Sequence, residues 1–231
     1  MRSVIALLSL CTLWLSSCVQ AAEWRDDFTG DLSQWRIELE QGGDVTVHNG
    51  VLDIDVPRGA TLWFKQELHA PVRIEYDALL VSEGGANDRV SDLNAFWMAT
   101  QADGSSPLGR RHGSFAEYND LRTYYVGIGG NYNTTTRLRR YIGDNELRPL
   151  LPEHDLSNSD VLLTPNRWQH ITLITSDKGV EVWRDQQRLF VMADAAPYLH
   201  GWFALRTVQN HLRIRHLHII SDEAKLESTD E

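Results

Sequence analysis

The chain has 231 residues, of which 42% are hydrophobic and 23% are charged, an ordinary composition for a globular protein that excludes general disorder. Its formal net charge of -10 at pH 7 argues against a protein that coats nucleic acid, because binding to phosphates needs clustered positive charge. The length fits a single domain, since β sandwiches and barrels often reach about 200 to 250 residues.

The N-terminus has the pattern of an export signal. Arg2 is followed by an apolar run from Val4 to Leu15, too short to span a bilayer as a mature helix. Two processing routes fit: cleavage after the small residues near "VQAA", or cleavage before Cys18, because "LSSC" resembles a bacterial lipobox whose cysteine becomes lipidated. The sequence favours the second, so we expect residues 1–22 to be a signal segment and the protein to be exported, periplasmic or anchored to the outer membrane as a lipoprotein.

Both cysteines of the chain, Cys11 and Cys18, lie in this signal segment. The remaining chain therefore has no disulfide and no catalytic thiol. Its stability has to come from a packed core. We expect the membrane to be a partner only through the N-terminal lipid anchor.

From Glu23 onward, short apolar or alternating runs are separated by turn residues about every ten residues, which is typical of a sandwich or barrel. The predicted strands are 45–56 (a hairpin turning at Asn49-Gly50), 60–68, 72–81, 93–101, 123–129, 135–142, 167–176, 179–193 (a hairpin turning near Asp185-Gln186), 201–208 and 211–220. A helical turn is expected only around residues 32–35 or within 114–121. This pattern predicts an all-β, concanavalin-like jelly roll of two packed antiparallel sheets over residues 23–220, with a β propeller or a lipocalin barrel as alternatives. The acidic residues 221–231 are expected to be a disordered tail.

Strand alternation assigns side chains to two faces, one of which forms the core. The expected core side chains include Tyr124, Val126, Ile128, Leu138, Ile142, Phe203 and Leu205. The opposite face then presents a polar set made of Asp92, Asn94, Tyr125, Arg137, Arg139, Tyr141 and Arg206.

If those strands are neighbours, the polar set lines one groove. Arginine forks bind carboxylate or sulfate, and aromatic faces stack on sugar rings, so the groove suits an anionic polysaccharide or oligosaccharide. The alternative is a solvated strand face that deters edge pairing. The glycines of "GIGG" (127–130) either leave room for a sugar ring or mark a bulge that bends the sheet.

The histidines give no metal-ligand spacing, so no metal site built on histidines is predicted. Asp26 and Asp27 are the candidates for a structural calcium site, and no nucleotide or redox cofactor is indicated. His112 and His211 adjoin arginines at predicted strand ends, where functional sites collect. A glycosidase would need two acids on the groove face, and no E-x-D-x-x-E signature appears on a strand.

Several segments carry a resemblance that spans most of the chain, from "WRDDFTG" (24–30) to about Ile220. They are "SDLNAFWMA" (91–99), "YYVGIGGNYNTTTRLRRY" (124–141), "RPLLPEHDL" (148–156) and "GWFALRTVQNH" (201–211). Together they resemble a family of exported bacterial jelly-roll proteins associated with polysaccharide breakdown. "YYVGIGGNYN" is also similar to the tyrosine-containing strand motif of jelly-roll alginate lyases, without that motif's lysine and terminal glutamine.

The resemblance implies a carbon–oxygen lyase or dehydratase that acts by β-elimination on uronic-acid-containing glycans. Such a reaction removes a weakly acidic proton beside a carboxylate, whose charge must be neutralised as the intermediate forms. Under this reading Tyr125 and His112 are the acid/base candidates, and Asn131 and Arg137 neutralise the carboxylate. The expected substrate contacts are Asp92, Asn94, Arg139, Tyr141, Arg206 and His211. The alternatives are a non-catalytic module that binds anionic glycan and, third, a glycoside hydrolase.

Overall fold

The computed structural model describes residues 21–222. Within them lie 15 strands: β1 (Ala22–Asp26), β2 (Trp35–Leu39), β3 (Asp44–His48), β4 (Val51–Val56), β5 (Ala60–Phe64), β6 (Leu68–Leu80), β7 (Leu93–Thr100), β8 (Arg122–Gly129), β9 (Thr135–Ile142), β10 (Asp155–Leu156), β11 (Gln169–Ser176), β12 (Gly179–Arg184), β13 (Gln187–Ala193), β14 (His200–Thr207) and β15 (Asn210–Asp222). The helical segments are three short 3-10 turns (Phe115–Tyr118, Pro152–His154 and Ser159–Val161), and Gly130–Asn133 form a tight turn between β8 and β9 with a largely left-handed backbone.

Residues 1–20, which include Cys18, and residues 223–231 lie outside the described residues, so the export signal and the acidic tail stay predictions. The strands extend slightly into both predicted segments: β1 begins at Ala22, and β15 runs to Asp222. None of the helices within residues 21–222 has the length and apolar character that crossing a membrane requires.

The strands form two antiparallel sheets, and this confirms the predicted jelly roll. The first, here called the cleft sheet, has the order β2-β5-β14-β7-β8-β9-β10. The second, called the outer sheet, has the order β3-β4-β15-β6-β11-β12-β13, with β1 beside the end of β15. The two sheets join where the first residues of β14 pair with β6.

The main core lies between the two sheets. It is formed by the side chains that strand alternation assigns to the inner faces. Tyr124, Val126 and Ile128 are at most 1% exposed, as are Leu138 and Phe203. Each fully buried large apolar side chain contributes about 1.5–3 kcal/mol to folding.

One core prediction is wrong. Ile142 is 38% exposed, because it is the last residue of β9 and β9 lies near the end of the cleft sheet. Both predicted hairpins are confirmed, since β3 and β4 flank Asn49-Gly50 and β12 and β13 flank Asp185-Gln186.

A second apolar cluster lies on the opposite face of the cleft sheet, beneath the segment 101–121, here called the covering loop. Strand residues such as Phe96 pack against loop residues such as Tyr118, with ring centroids 5.5 Å apart. The buried Glu38 carboxylate anchors the loop, because it accepts hydrogen bonds from Tyr118 Oη (2.7 Å), Gly109 N (3.1 Å) and Trp63 Nε1 (3.0 Å). The covering loop thus closes part of this face and leaves the rest open.

Candidate functional site

The open part of this face is a cleft of about 330 Å³. It is bordered by the covering loop at Phe115, by the irregular segment at Arg148 and by the turn that joins β8 to β9. Its lining consists of Asp92, Asn94, Phe115, Tyr125, Gly127, Gly130, Asn131, Thr135, Arg137, Arg139, Tyr141, Arg148 and Val208. The structure therefore brings together the predicted residues Asp92, Asn94, Tyr125, Asn131, Arg137, Arg139 and Tyr141.

Strand register explains why these side chains meet. Asn94 on β7 lies opposite Gly127 on β8, and Gly127 lies opposite Arg137 on β9. In the adjacent row, Tyr125 lies opposite Arg139. Because directly opposed residues in an antiparallel pair project from the same face, period-two alternation places both rows on the cleft floor.

Gly127 gives the floor its shape. A Cβ atom on this residue would lie 2.7 Å from Tyr125 Oη and 3.0 Å from Asn94 Oδ1. The hydroxyl and the amide therefore converge over a position that only a hydrogen atom fills. Because Gly127 has no side chain, the Tyr125 hydroxyl and the Asn94 amide both extend into the space above it.

The cleft has positive charge that no described carboxylate compensates. Arg139 donates a hydrogen bond to the Arg148 carbonyl oxygen (2.5 Å). Within residues 21–222, no carboxylate oxygen lies within the 4.0 Å of an ion pair from the guanidinium group of Arg139 or from that of Arg148. By contrast, Arg137 is paired with Asp155 through Nε and Nη2 (2.7 and 3.2 Å).

The single acid of the lining is also neutralised. Asp92 forms an ion pair with Arg89 and accepts a hydrogen bond from Ser91 Oγ (2.7 Å). The Arg148 guanidinium carbon lies 5.8 Å from the ring centroid of Phe115 and 6.0 Å from that of Tyr141. This end of the cleft therefore offers a ligand a net positive charge. The rings of Phe115 and Tyr141 flank the Arg148 guanidinium group.

Arg206, a predicted substrate contact, lies behind the cleft wall. It is 1% exposed, its Nη1 donates to Thr61 Oγ1 (2.8 Å) and to the Gly113 carbonyl oxygen, and its guanidinium packs between Phe115 (5.3 Å) and Tyr118 (5.1 Å). The predicted face is correct, since Arg206 is the register partner of Asn94. The covering loop nevertheless separates it from the open volume, so Arg206 holds the loop and adds to the positive field.

Burial controls the ionisation of the two cleft tyrosines. Desolvation raises the pKa of Tyr125 well above its ordinary value, and the charges of Arg206 and Arg139 offset this only in part. Burial likewise raises the pKa of Tyr141. Both phenols are therefore neutral in the resting protein near pH 7.

Within residues 21–222, Asn94 Oδ1 is a buried polar atom of the lining that has no hydrogen-bond partner. Buried polar atoms in folded proteins are nearly always paired. Asn94 Oδ1 therefore keeps an unused acceptor position in the wall of the cleft.

The two histidines predicted for the site are elsewhere. The His112 side chain, on the covering loop, is 90% exposed and lies 3.3 Å from Glu117 Oε1, outside the cleft lining. His211 is on β15, where its ring lies 3.0 Å from both Asp53 Oδ1 and Asp88 Oδ1. The structure therefore does not bring His112 and His211 into this cleft, because adjacency to arginines in sequence does not fix which sheet or which side of a loop a side chain occupies.

The candidate calcium ligands already accept hydrogen bonds from groups of the protein. Asp26 accepts hydrogen bonds from Phe28 N and Trp35 Nε1, both at 2.9 Å, and Asp27 accepts one from Thr29 Oγ1 at 2.8 Å. In the part of the chain that the structure describes, no group of three or more histidine, cysteine, aspartate or glutamate side chains is placed to hold a metal ion.

Phe115, Thr135, Arg148 and Val208 line the cleft without having been predicted. Phe115 and Arg148 lie in segments without strand periodicity, so alternation gives no direction for their side chains. The one available signal for Arg148 is that it opens "RPLLPEHDL", a segment that carries the family resemblance.

Several solved structures share this fold. A protein of unknown function with a galectin-like fold from Bacillus subtilis is 14% identical, with a TM-score of 0.66 over 87% of this chain and 96% of that one. The carbohydrate binding module CBM66 from Bacillus subtilis is 8% identical, with a TM-score of 0.54 over 83% and 96%. A prokaryotic beta-1,3-1,4-glucanase from a mouse hindgut metagenome is 10% identical, with a TM-score of 0.51 over 87% and 99%. At these identities the likeness establishes the fold alone.

Sequence comparison supplies the family. Among curated proteins, none matches the chain significantly. A family described as a domain of unknown function, DUF6250, matches residues 54–217, which run from β4 to β15 and include every residue of the cleft lining. The match covers well over half of the chain, and the protein therefore belongs to the DUF6250 family.

Proposed function

We propose that the cleft binds an anionic, uronic-acid-containing glycan and cleaves or dehydrates it by β-elimination. The observation that carries this proposal is the pair Arg139 and Arg148, two guanidinium groups without a described carboxylate partner in the cleft that Tyr125 also lines. A carboxylate or sulfate is the group that such a pair recognises best. The carbohydrate binding module and the glucanase that share the fold support a sugar as the ligand.

The overall charge of the chain supports the same ligand. The protein has a formal net charge of -10, yet the one acid of the cleft lining, Asp92, is paired. Positive potential concentrated in a recess attracts an anion to that recess and away from the acidic remainder of the surface.

The proposed chemistry needs one proton acceptor and one cation. The phenolate form of Tyr125 takes the proton from C5 of the uronate, the electrons of that C–H bond form the C4–C5 double bond, and the C4–O bond breaks. The Tyr125 hydroxyl then returns the proton to the departing oxygen, which restores the phenolate. Arg139 stabilises the negative charge that builds on the carboxylate during this step.

This assignment moves the neutralising role away from Arg137. Its guanidinium is already engaged by Asp155, whereas that of Arg139, among residues 21–222, bonds only to a carbonyl oxygen. Asn131, at the exposed turn, keeps the role of a carboxylate contact, and Asn94 offers an unpaired Oδ1 to a sugar hydroxyl.

The leaving group decides the name of the reaction. A sugar at C4 makes the protein a polysaccharide lyase, and a free hydroxyl at a non-reducing end makes it an oligosaccharide dehydratase. Hydrolysis by two carboxylates is less well supported, because Asp92 is the one acid among the lining residues and it is ion-paired.

A second function, non-catalytic binding, is favoured by the burial of Tyr125. The raised pKa of Tyr125 leaves few phenolates near pH 7, and without a nearby base the same cleft would only hold the glycan. In either case we place the protein outside the cytoplasm, as a lipoprotein attached through Cys18.

One assay distinguishes a lyase or dehydratase, a hydrolase and a non-catalytic binding module. The protein is incubated with polyuronates and with oligosaccharides derived from them, while ultraviolet absorbance of the conjugated double bond and new reducing ends are recorded. Rising absorbance supports elimination, new reducing ends without it indicate hydrolysis, and retention of the glycan without either product indicates a binding module. When Arg139→Ala is assayed in the same way, Arg213→Ala is its matched control, because Arg213 is paired with Asp53 on the outer sheet, away from the cleft.

A further inference from the structure

The turn between β8 and β9 holds an aromatic ring in solvent beside the cleft. Tyr132 is 78% exposed, the largest value among the exposed large hydrophobic side chains of residues 21–222. It directly follows Gly130 and Asn131, which line the cleft. The cleft runs along the β8–β9 hairpin from Tyr141 towards this turn, so the ring lies where a ligand longer than the cleft would emerge.

The backbone of this turn is in the left-handed region. Asn131, Tyr132 and Asn133 have φ values of 54°, 59° and 60°. Asparagine adopts this conformation readily, but a tyrosine does so at a cost. The side chain at position 132 is exposed and contributes little to the core, so glycine or asparagine would suit the turn better than tyrosine.

Hydrogen bonds fix the turn despite this cost. The Asn133 side chain accepts from Leu163 N (2.8 Å) and donates to the Leu163 carbonyl oxygen (3.0 Å). Thr134 Oγ1 donates to the Asn131 carbonyl oxygen (2.7 Å). The ring is thus presented on a braced turn, and an unfavourable backbone held in this way beside a site is a sign of a functional constraint.

Arg89 connects the ring to the cleft wall. Its guanidinium carbon lies 5.1 Å from the Tyr132 ring centroid, and the same group is ion-paired with Asp92 of the cleft lining. The cation covers one region of the ring, and the side chain as a whole stays largely open to solvent.

From these observations we infer that Tyr132 is a stacking platform for a sugar ring of the bound glycan outside the cleft. The inference rests on the proposed glycan ligand and adds a subsite to it. The C–H face of a sugar ring packs on an aromatic face, and a platform that is already rigid binds at a lower entropic cost. The cleft volume of about 330 Å³ is at the lower end for ligand sites, so longer oligosaccharides reach the platform and short ones do not. Tyr132 thereby selects for chain length.

The test measures binding of polyuronate oligosaccharides, from disaccharide to hexasaccharide, by isothermal titration calorimetry. Tyr132→Gly removes the ring and suits the left-handed backbone, so it keeps the fold, which circular dichroism verifies. We expect it to weaken hexasaccharide binding about tenfold, equivalent to about 1.4 kcal/mol, and to leave disaccharide binding unchanged. Tyr132→Phe keeps the ring and should bind like the wild type.

Leu147→Ala is the control, since this residue is an exposed apolar side chain (54% exposed) outside the cleft lining. Equal hexasaccharide affinity of the wild type and Tyr132→Gly would overturn the platform while leaving the proposed function intact. An equal loss for the disaccharide would also overturn it, because the ring would then act inside the cleft. Absence of binding by the wild type to every oligosaccharide would overturn the proposed function and the platform together.

Discussion

Replacing Gly127 by alanine tests whether the convergence of Tyr125 and Asn94 is what makes the cleft functional. Gly127 is a residue of β8 whose φ lies outside the left-handed region, so alanine introduces no backbone strain. The new Cβ would lie 2.7 Å from Tyr125 Oη, whereas ordinary contact begins at 3.4 Å. The hydroxyl therefore has to move by the difference, about 0.7 Å.

The expected loss follows from that displacement. A reacting group misplaced by about 1 Å can lose roughly a hundredfold in rate, so a shift of this size should lower kcat/KM about tenfold to a hundredfold. The stability cost should be small, about 1 kcal/mol, at the lower end for overpacking, because Tyr125 and Asn94 border an open cleft and can move.

The assay compares elimination rates and denaturant midpoints of Gly127→Ala with those of Gly30→Ala. Gly30 is the matched control, because a Cβ there meets nothing within 4 Å. An unchanged elimination rate in Gly127→Ala, with the wild-type fold, would show that the positions of the Tyr125 hydroxyl and the Asn94 amide do not matter for the chemistry.

Three further predictions follow from the charges and the pKa shifts. Arg139→Ala should weaken binding of a uronate oligosaccharide about tenfold to a hundredfold, the range for a lost charged hydrogen bond, and flatten the salt dependence seen by calorimetry, whereas Arg213→Ala should change neither. Because burial raises the pKa of Tyr125 and the phenolate is the active form, kcat/KM should rise about tenfold per pH unit through the alkaline range, and a plateau beginning below pH 7 would contradict this. Burial also raises the pKa of Tyr76 above its unfolded value of about 10, so folding stability should be fully present below about pH 10 and fall at higher pH; guanidinium unfolding curves on both sides of that pH measure it, and constant midpoints would refute it.

The fold was predictable because a period of two in short segments specifies both strands and their faces. Tyr124 and Val126 follow that period into the core, and Tyr125 and Arg139 follow it into the cleft. No knowledge of strand order was needed for this step. The order of the strands in the sheet was needed only to show that the outward faces of β7, β8 and β9 lie next to one another.

The remaining parts depend on contacts between distant segments. That Arg137 is neutralised and Arg139 is not depends on β10, which brings Asp155 against β9. Arg206 is covered by a loop whose path has no periodicity to reveal it. His211 shows the same limit in another form: its orientation away from the core follows from its strand, but its place on the opposite sheet follows from pairing with β4.

The most direct test of the central claim is the ultraviolet time course of a uronate oligosaccharide with the wild type and with Tyr125→Phe, at an alkaline pH where both are folded. The mechanism predicts rising absorbance with the wild type and a loss of at least about a hundredfold in rate for Tyr125→Phe, while both proteins bind the oligosaccharide with similar affinity. Equal rates for the two proteins, or binding by the wild type without any rise in absorbance, would contradict the claim.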